Sequence, residues 1–324
     1  MTTEVLDACI SPKIAIARAA ELLRAGEVVG FPTETVYGLG ACVFNEGAVR
    51  KIYTAKGRPQ DNPLIVHIAE THDVSRVARD IPDEFYRLAE SFFPGALTII
   101  LRRHSDVPAI VSAGLDTIAV RMPAHDIALG IITATGEPLV APSANRSGKP
   151  SPTSAQHVLD DLNGKIAAVV DGGKCSVGIE STIVNILGET PMIVRPGVIT
   201  QEEIERVLGK NVAIYSGQET TQPIAPGMKY RHYAPQATVK LMASWSEILE
   251  EVHKNPNPKR MILSNEKAPP ELQSQVYLLS PTTIYSDFRL ADAENFREIL
   301  ILCSDTVQNN VALMNRISKA ASGT

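Results

Sequence analysis

Apolar residues along this chain gather either in short unbroken runs or at every third or fourth place. The first pattern predicts buried strands and the second amphipathic helices. Strands are expected at 27–32, 64–68, 97–102, 117–122, 138–142, 167–171, 181–186 and 191–195, with helices at about 12–25, 46–55, 83–92, 126–134 and 154–162 between many of them. The first helix has clear end signals: Ser11 at the N-cap place, Pro12 at the first position and Gly26 past the end. Thr200 with Glu203 makes a capping box that opens a further helix to Leu208. Such interleaving predicts an α/β fold, and the adjacent strands at 181–195 predict a mixed sheet.

Residues 210–235 break the pattern, with few apolar positions and the polar run from Gly217 to Pro223, which is linker composition. From Thr238 the alternation restarts, with strands at 238–242, 260–264 and 275–279 and helices at 245–253 and 293–310. The expected division is a domain at 10–209, a linker at 210–235 and a second, smaller α/β domain at 236–324.

A length of 324 residues suits two domains, and 44% hydrophobic with 21% charged residues is ordinary globular composition. The net charge of −5 provides no global field favouring nucleic acid or membrane, so coating a tRNA would need a local basic patch. Cys9, Cys42, Cys175 and Cys303 are scattered without a C-x-x-C pair, which fits reduced thiols rather than a disulfide framework or zinc site. No basic stretch followed by an apolar run marks a signal peptide, and runs such as 96–101 and 299–303 are too short to span a bilayer. A cytoplasmic location is expected. There is no G-x-x-x-x-G-K-[ST] loop, and G-L-G at 38–40 lacks the third glycine of a dinucleotide fingerprint. No H-E-x-x-H pair or aspartate-rich calcium loop is present either.

Two polar loops interrupt this apolar chain. The first, KGRPQDNPLIVHI at 56–68, follows FPTETVYGLG at 31–40. Gly57 tolerates angles a helix cannot use, and Pro59 disfavours helix at Arg58. The preceding helix should therefore stop near Ala55 and present Lys56 and Arg58 from a loop. Lysine offers a compact charge and arginine a planar fork, both suited to phosphate, and Asn62 adds a neutral donor and acceptor. K-x-R by itself reads more readily as a solvated basic turn, a preference that the paired prolines, Asn62 and the following apolar strand reduce. The second loop, VAPSANRSGKPSP at 140–152, places Ser143 and Asn145 on one side of a strand end, where ligands commonly bind in α/β sheets. A serine or Asx turn before Gly148 is the plainer reading.

Together PTETVYGL, K-x-R, N-P-L-I-V-H and P-S-A-N-x-S-G, in this order and spacing, resemble the threonylcarbamoyl-adenylate synthase family, whose YrdC-like domain carries a K-x-R…S-x-N signature. Here the signature is Lys56, Arg58, Ser143 and Asn145. GIESTIVNI at 178–186, IVRPG at 193–197 and APGMKYRHYAP at 225–235 extend the match, the last resembling the interdomain linker of two-domain members. One departure is Asn185, where many members carry Asp. It bears on a supporting hydrogen bond and not on the assignment.

The resemblance implies a YrdC-like mixed, twisted sheet domain followed by a smaller Rossmann-like α/β domain. It implies condensation of L-threonine, bicarbonate or CO2, and ATP into threonylcarbamoyl-adenylate with release of pyrophosphate, for tRNA modification. Mg2+ would come bound to the ATP phosphates. By motif match, Lys56 and Arg58 are the catalytic cations, while ATP falls to Arg58, Asn62, Thr117, Ser143, Asn145, Ser151, Arg195 and Tyr233. Threonine falls to Thr35, His67, Arg121, the backbone at Ala141, and Ser181. Arg121, a cation among apolar neighbours, needs an anionic partner, either a substrate carboxylate or a buried Asp or Glu. His67 reads also as a core histidine, and Arg195 as a structural ion pair. Residues 228–233, rich in cations and aromatics, would form a lid over the nucleotide. Two-domain members build the site without a partner, which fits a monomer, and a downstream tRNA threonylcarbamoyl transferase would consume the product. A non-catalytic RNA-binding module is the competing reading, and a carbamoyltransferase of the hydrogenase-maturation type would require extra domains.

Overall fold

The structure, a computed structural model, describes residues 2–215, 225–226 and 233–322. The chain divides into two units, Met1–Ser147 with Ser151–Tyr230, and Gly148–Pro150 with Arg231–Thr324.

In the first unit the strands are β1 (Glu4–Asp7), β2 (Val29–Phe31), β3 (Gly38–Cys42), β4 (Ile65–His67), β5 (Ala78–Arg79), β6 (Leu97–Arg103), β7 (Thr117–Arg121), β8 (Leu139–Val140), β9 (Ala168–Asp171), β10 (Thr182–Asn185), β11 (Met192–Arg195) and β12 (Ala213–Ile214). They form one sheet in the order β1-β9-β2-β3-β8-β4-β7-β6-β10-β11-β12, with β5 paired to β6. Pairing is mixed: β4–β7 and β6–β10 are parallel, whereas β2–β3, β4–β8 and β6–β7 are antiparallel. Helices are α1 (Pro12–Arg24), α2 (Glu46–Lys56), α3 (Val74–Val77), α4 (Asp83–Phe92), α5 (Asp126–Thr135), α6 (Ala155–Leu162) and α7 (Gln201–Leu208). The capping box at Thr200 and Glu203 forms in both directions, whereas Ser11 takes the N-cap place of α1 without a side-chain bond.

The two faces of the sheet are covered differently. Leu39, Val66, Ile99, Val120, Val140 and Val169 pack under α2, α4, α6 and α7 in the main core. On the other face α1 and α5 cover Val29, Phe31, Leu139 and Val170. Further along that second face, Ile65, Ile100, Ala119, Ile183 and Val194 gather with Ala225 in a cluster containing no helical residue. Side chains alternate between faces along a strand, so His67, Arg121 and Thr98 share this thinly covered face. The Gly38 and Gly40 positions have a packing cause: a Cβ on Gly40 would lie 2.6 Å from the Phe31 ring.

The second unit has its own parallel sheet, ordered β13-β16-β14-β15. Its strands are β13 (Thr238–Met242), β14 (Arg260–Ser264), β15 (Val276–Leu278) and β16 (Glu298–Leu302), and its helices are α8 (Trp245–Lys254), α9 (Ile284–Ala293), α10 (Asp305–Gln308) and α11 (Val311–Ala321). The helix expected at 293–310 is not there. Glu298–Leu302 is instead a strand at the sheet's interior, buried at every position. A strand covered on both faces has no polar alternation to betray it, and EILIL reads as a continuous apolar run. Among the described residues no helix is long and apolar enough to cross a membrane.

Candidate active site

Asn45 caps α2 by accepting from Ala48 N, and Gly57 ends the helix in the left-handed region at φ 60°. Lys56 is thus the last helical residue rather than part of the loop, and its aim is set by α2. Its ammonium is buried, donating to Ser143 O at 2.5 Å and to Asn145 O at 2.6 Å. Ser147 N returns a bond to Lys56 O at 2.9 Å, so the K-x-R and S-x-N loops are stitched together by side chain and backbone alike. Ser143 Oγ donates to Asn145 Oδ1 at 2.5 Å, which puts both side chains on one side of the strand end. Arg58 folds over its own loop, donating to Asn62 O at 3.3 Å and Pro63 O at 2.9 Å. Asn62 is buried, with no hydrogen-bond partner on Oδ1. Lys56, Ser143 and Asn145 form one cluster, and Arg58 and Asn62 lie on the loop that leads directly out of it.

A second cluster lies at β10 and β11. Arg195 is buried and its guanidinium grips Ser181, with Nε and Nη2 at 3.1 and 2.9 Å from the carbonyl and Nη2 at 3.1 Å from Oγ. Ser181 Oγ shares a 2.7 Å bond with Thr98 Oγ1. Gly197 sits so close behind that a Cβ would come within 2.3 Å of Thr182 N. Nearby in sequence, Glu180 is buried and accepts from Ser151 Oγ at 2.5 Å.

The third cluster is ionic. His67 and Arg121 are register partners on β4 and β7, both buried. Arg121 Nε donates to Gly95 O at 3.2 Å, and Nη2 lies 2.6 Å from Glu34 Oε2. The anionic partner that the sequence demanded of Arg121 is therefore, in this structure, a buried glutamate. Burial acts to raise the Glu34 carboxyl, but the Arg121 guanidinium beside it leaves it below its ordinary range. Burial, reinforced by the Arg121 charge, pushes the His67 imidazole down to about 3, so it is neutral at physiological pH. Phe31 meets its ring edge-on, with centroids 6.3 Å apart. Thr35, fully buried, follows Glu34 and shares a 2.9 Å bond with Thr33.

The sheet links these clusters. Arg121 reaches Gly95 O and Thr182 N reaches the next carbonyl, Ala96 O, which joins the ionic and Arg195 clusters across β6. Ala141 N donates to Ile65 O at 2.9 Å, and Gly38 bridges Ser143, which brings the S-x-N loop to the same region. Thr117 is half-buried at the start of β7, opposite Arg102. Tyr233 belongs to the second unit, where it is buried at φ 67°, stacks on Tyr285 with centroids 5.5 Å apart, and lies under the Arg316 guanidinium at 5.4 Å. The other lid positions, Met228 to His232, lie outside the described residues. Asn185 Oδ1 accepts from Leu187 N at 3.0 Å, an Asx bond that an aspartate would make equally. Glu34 and Glu180 went unread in the sequence. For Glu34 the available signal was the need for a counter-ion at Arg121.

Among the described residues no three His, Cys, Asp or Glu groups are placed to hold a metal. Cations, amides and hydroxyls outnumber the two carboxylates, Glu34 and Glu180, which are themselves engaged by Arg121 and Ser151, so most of the set suits anionic ligands.

Comparison with known proteins agrees with this chemistry. The family model Sua5–YciO–YrdC, described as telomere recombination, matches residues 21–197, and the model described as threonylcarbamoyl-AMP synthase, C-terminal domain, matches residues 199–322. A threonylcarbamoyl-AMP synthase of Pyrococcus abyssi is 52% identical over 224 residues, covering 68% of this chain and 66% of the relative. One of Bacillus subtilis is 43% identical over 324 residues, covering 95% and 93%. The crystal structure of P. abyssi Sua5 complexed with L-threonine superposes with a TM-score of 0.89 at 39% identity, covering 99% of this chain and 98% of that one.

Proposed function

The chain belongs to the Sua5–YciO–YrdC family, and on that premise we propose that it is an L-threonylcarbamoyladenylate synthase, joining L-threonine, bicarbonate or CO2, and ATP with release of pyrophosphate. The observation that carries the reading is the Lys56 cluster: a buried ammonium fixed by two carbonyls of the S-x-N loop, where charge is positioned before substrate arrives. In the reaction, the threonine amine adds to CO2 and loses a proton to give a carbamate. A carbamate oxygen then attacks the α-phosphorus, and the bond to the pyrophosphate oxygen breaks. Both partners are anionic, so holding them together against their repulsion is the first task of the protein.

Lys56 and Arg58 would hold phosphate and carbamate oxygens. Asn62, Thr117, Ser143, Asn145, Ser151 and Arg195 would line the nucleotide site, with Arg195 held in place by Ser181. Arg121 would take the threonine carboxylate while Glu34 steadies the guanidinium. Neutral His67, Thr35, Ser181 and the Ala141 backbone would complete that pocket. Mg2+ fits as a companion of ATP rather than a resident ion, because Glu34 and Glu180 are engaged by Arg121 and Ser151. When bound, it would neutralise phosphate charge. A nucleotide contact for Tyr233, cytoplasmic location, a monomeric state and delivery of the adenylate to a tRNA-modifying transferase belong to the same reading.

The test is to incubate the purified chain with ATP, Mg2+, bicarbonate and each of several amino acids, following pyrophosphate and the adenylate mass. Threonine-dependent pyrophosphate with the mass of threonylcarbamoyl-AMP is expected. Folded protein that turns over no amino acid yet binds RNA would overturn the synthase reading.

A further inference from the structure

Away from these clusters, a cavity of about 510 Å3 opens between α2 and the starts of β2 and β9. Its floor is apolar, with Val28 and Ala167 among the lining residues, and its rim carries Arg50, Lys51 and Lys165 against one carboxylate, Glu27. Gly47, Arg50, Lys51 and Thr54 line it at the i, i+3, i+4 and i+7 positions of one face of α2. We infer that this cavity is a second anion site, receiving phosphate groups of a ligand separate from the substrates.

Three observations carry the inference. The volume lies in the range of small-molecule pockets, roughly 300–1,000 Å3. Three cations stand against Glu27 on the rim and Glu46 beside Arg50, a local excess of positive charge on a chain whose net charge is −5. Their existing partnerships are also displaceable. Lys51 lies 2.8 Å from Glu27 and donates to Gly26 O at 2.8 Å, while Arg50 pairs with Glu46 at 2.5 Å, with about half of each cation's side chain exposed. Exposed pairs of this kind contribute only about 0–1 kcal/mol, so phosphate oxygens can replace them. Lys165 is exposed and makes no side-chain bond among the described residues. Arginine's fork and two ammonium groups converging on one hollow suit a polyphosphate or successive phosphodiesters, with the apolar floor under an organic part of the ligand. The site is independent of the synthase reading, since none of its residues belongs to the three clusters.

The phosphates could belong to RNA or to a free polyphosphate, and lysine acetylation of the full chain, read by mass spectrometry, separates the two. Inorganic tripolyphosphate and a short RNA hairpin serve as probes, with exposed Lys13 as the internal control. Slowed acetylation at Lys51 and Lys165, with Lys13 unchanged and the effect lost in high salt, is the expected result. Protection by the hairpin alone assigns RNA, and protection by tripolyphosphate assigns free phosphates. Lys165→Glu should weaken the protection of Lys51 about tenfold while leaving threonine-dependent pyrophosphate release unchanged. No protection by either probe, or equal protection of Lys51 in Lys165→Glu, would overturn the inference.

Discussion

Arg121 and His67 show how far single residues could be read and where that reading ended. A cation in an apolar strand predicts a nearby anion, but Glu34 lies far back in the chain, and only the sheet order from β2 through β3, β8 and β4 to β7 brings the two together. Replacing Arg121 by Met strands the Glu34 charge in the interior and should cost about 3–5 kcal/mol in denaturant melts. Adding Glu34→Gln should recover most of that loss. Full additivity of the two single losses would show that the pair is not coupled. For His67 the sign follows from protons bound. The unfolded chain takes one up near pH 6.5, whereas the folded site resists until about 3. Its contribution is therefore fully present above 6.5 and declines as pH falls toward 3, by about 1.4 kcal/mol per pH unit. A His67→Gln chain that remains folded should have a flatter acid limb, and an unchanged limb would place the titration elsewhere.

Among the secondary-structure elements, α1, α2, α4 and α6 are legible because each is amphipathic, α7 because of its capping box, and α5 by its apolar run ending at Gly136. Periodicity missed β3, whose GLGAC carries no alternation, and misread β16, whose burial on both faces erases it. The turn after β11 was visible in IVRPG, but the reason for its glycine was not. Gly197 lies against the backbone of residues 181–182, which in turn hold the Arg195 guanidinium. Gly197→Ala should therefore displace both strand ends. The expected result is a stability loss of about 1–3 kcal/mol together with a raised KM for ATP. A stable variant with wild-type KM would show that the strand ends relax without moving Arg195.

For the molecule as a whole, composition and the polar break at 210–235 announced two α/β bodies, while strand order and the mixed pairing came only with the structure. Order depends on contacts between distant segments, which no local pattern records. Asp287 of the second unit titrates with the opposite sign to His67 of the first. In the second unit, burial pushes the Asp287 carboxyl up to about 6. The folded form thus holds a proton that the unfolded chain has released, and this unit loses stability as pH rises from about 4 to 6, the reverse of the His67 effect. Asp287→Asn should stabilise it above pH 6 by about 1–2 kcal/mol, since partial exposure screens the charge, measured as the shift of its unfolding transition between acidic and neutral pH. A pH-independent shift would assign the effect to packing rather than to charge.

Gly148–Pro150 belongs to the second unit although Ser147 and Ser151 on either side belong to the first. Arg289 donates to Pro150 O at 2.5 Å and Ala234 N to Gly148 O at 3.3 Å. A gene cut at codon 231 therefore does not separate two complete proteins. The downstream product leaves three of its residues behind, just past the S-x-N signature, and the upstream product carries them without their hydrogen-bond partners. Shuffling either half into another gene would require carrying that tripeptide across as well.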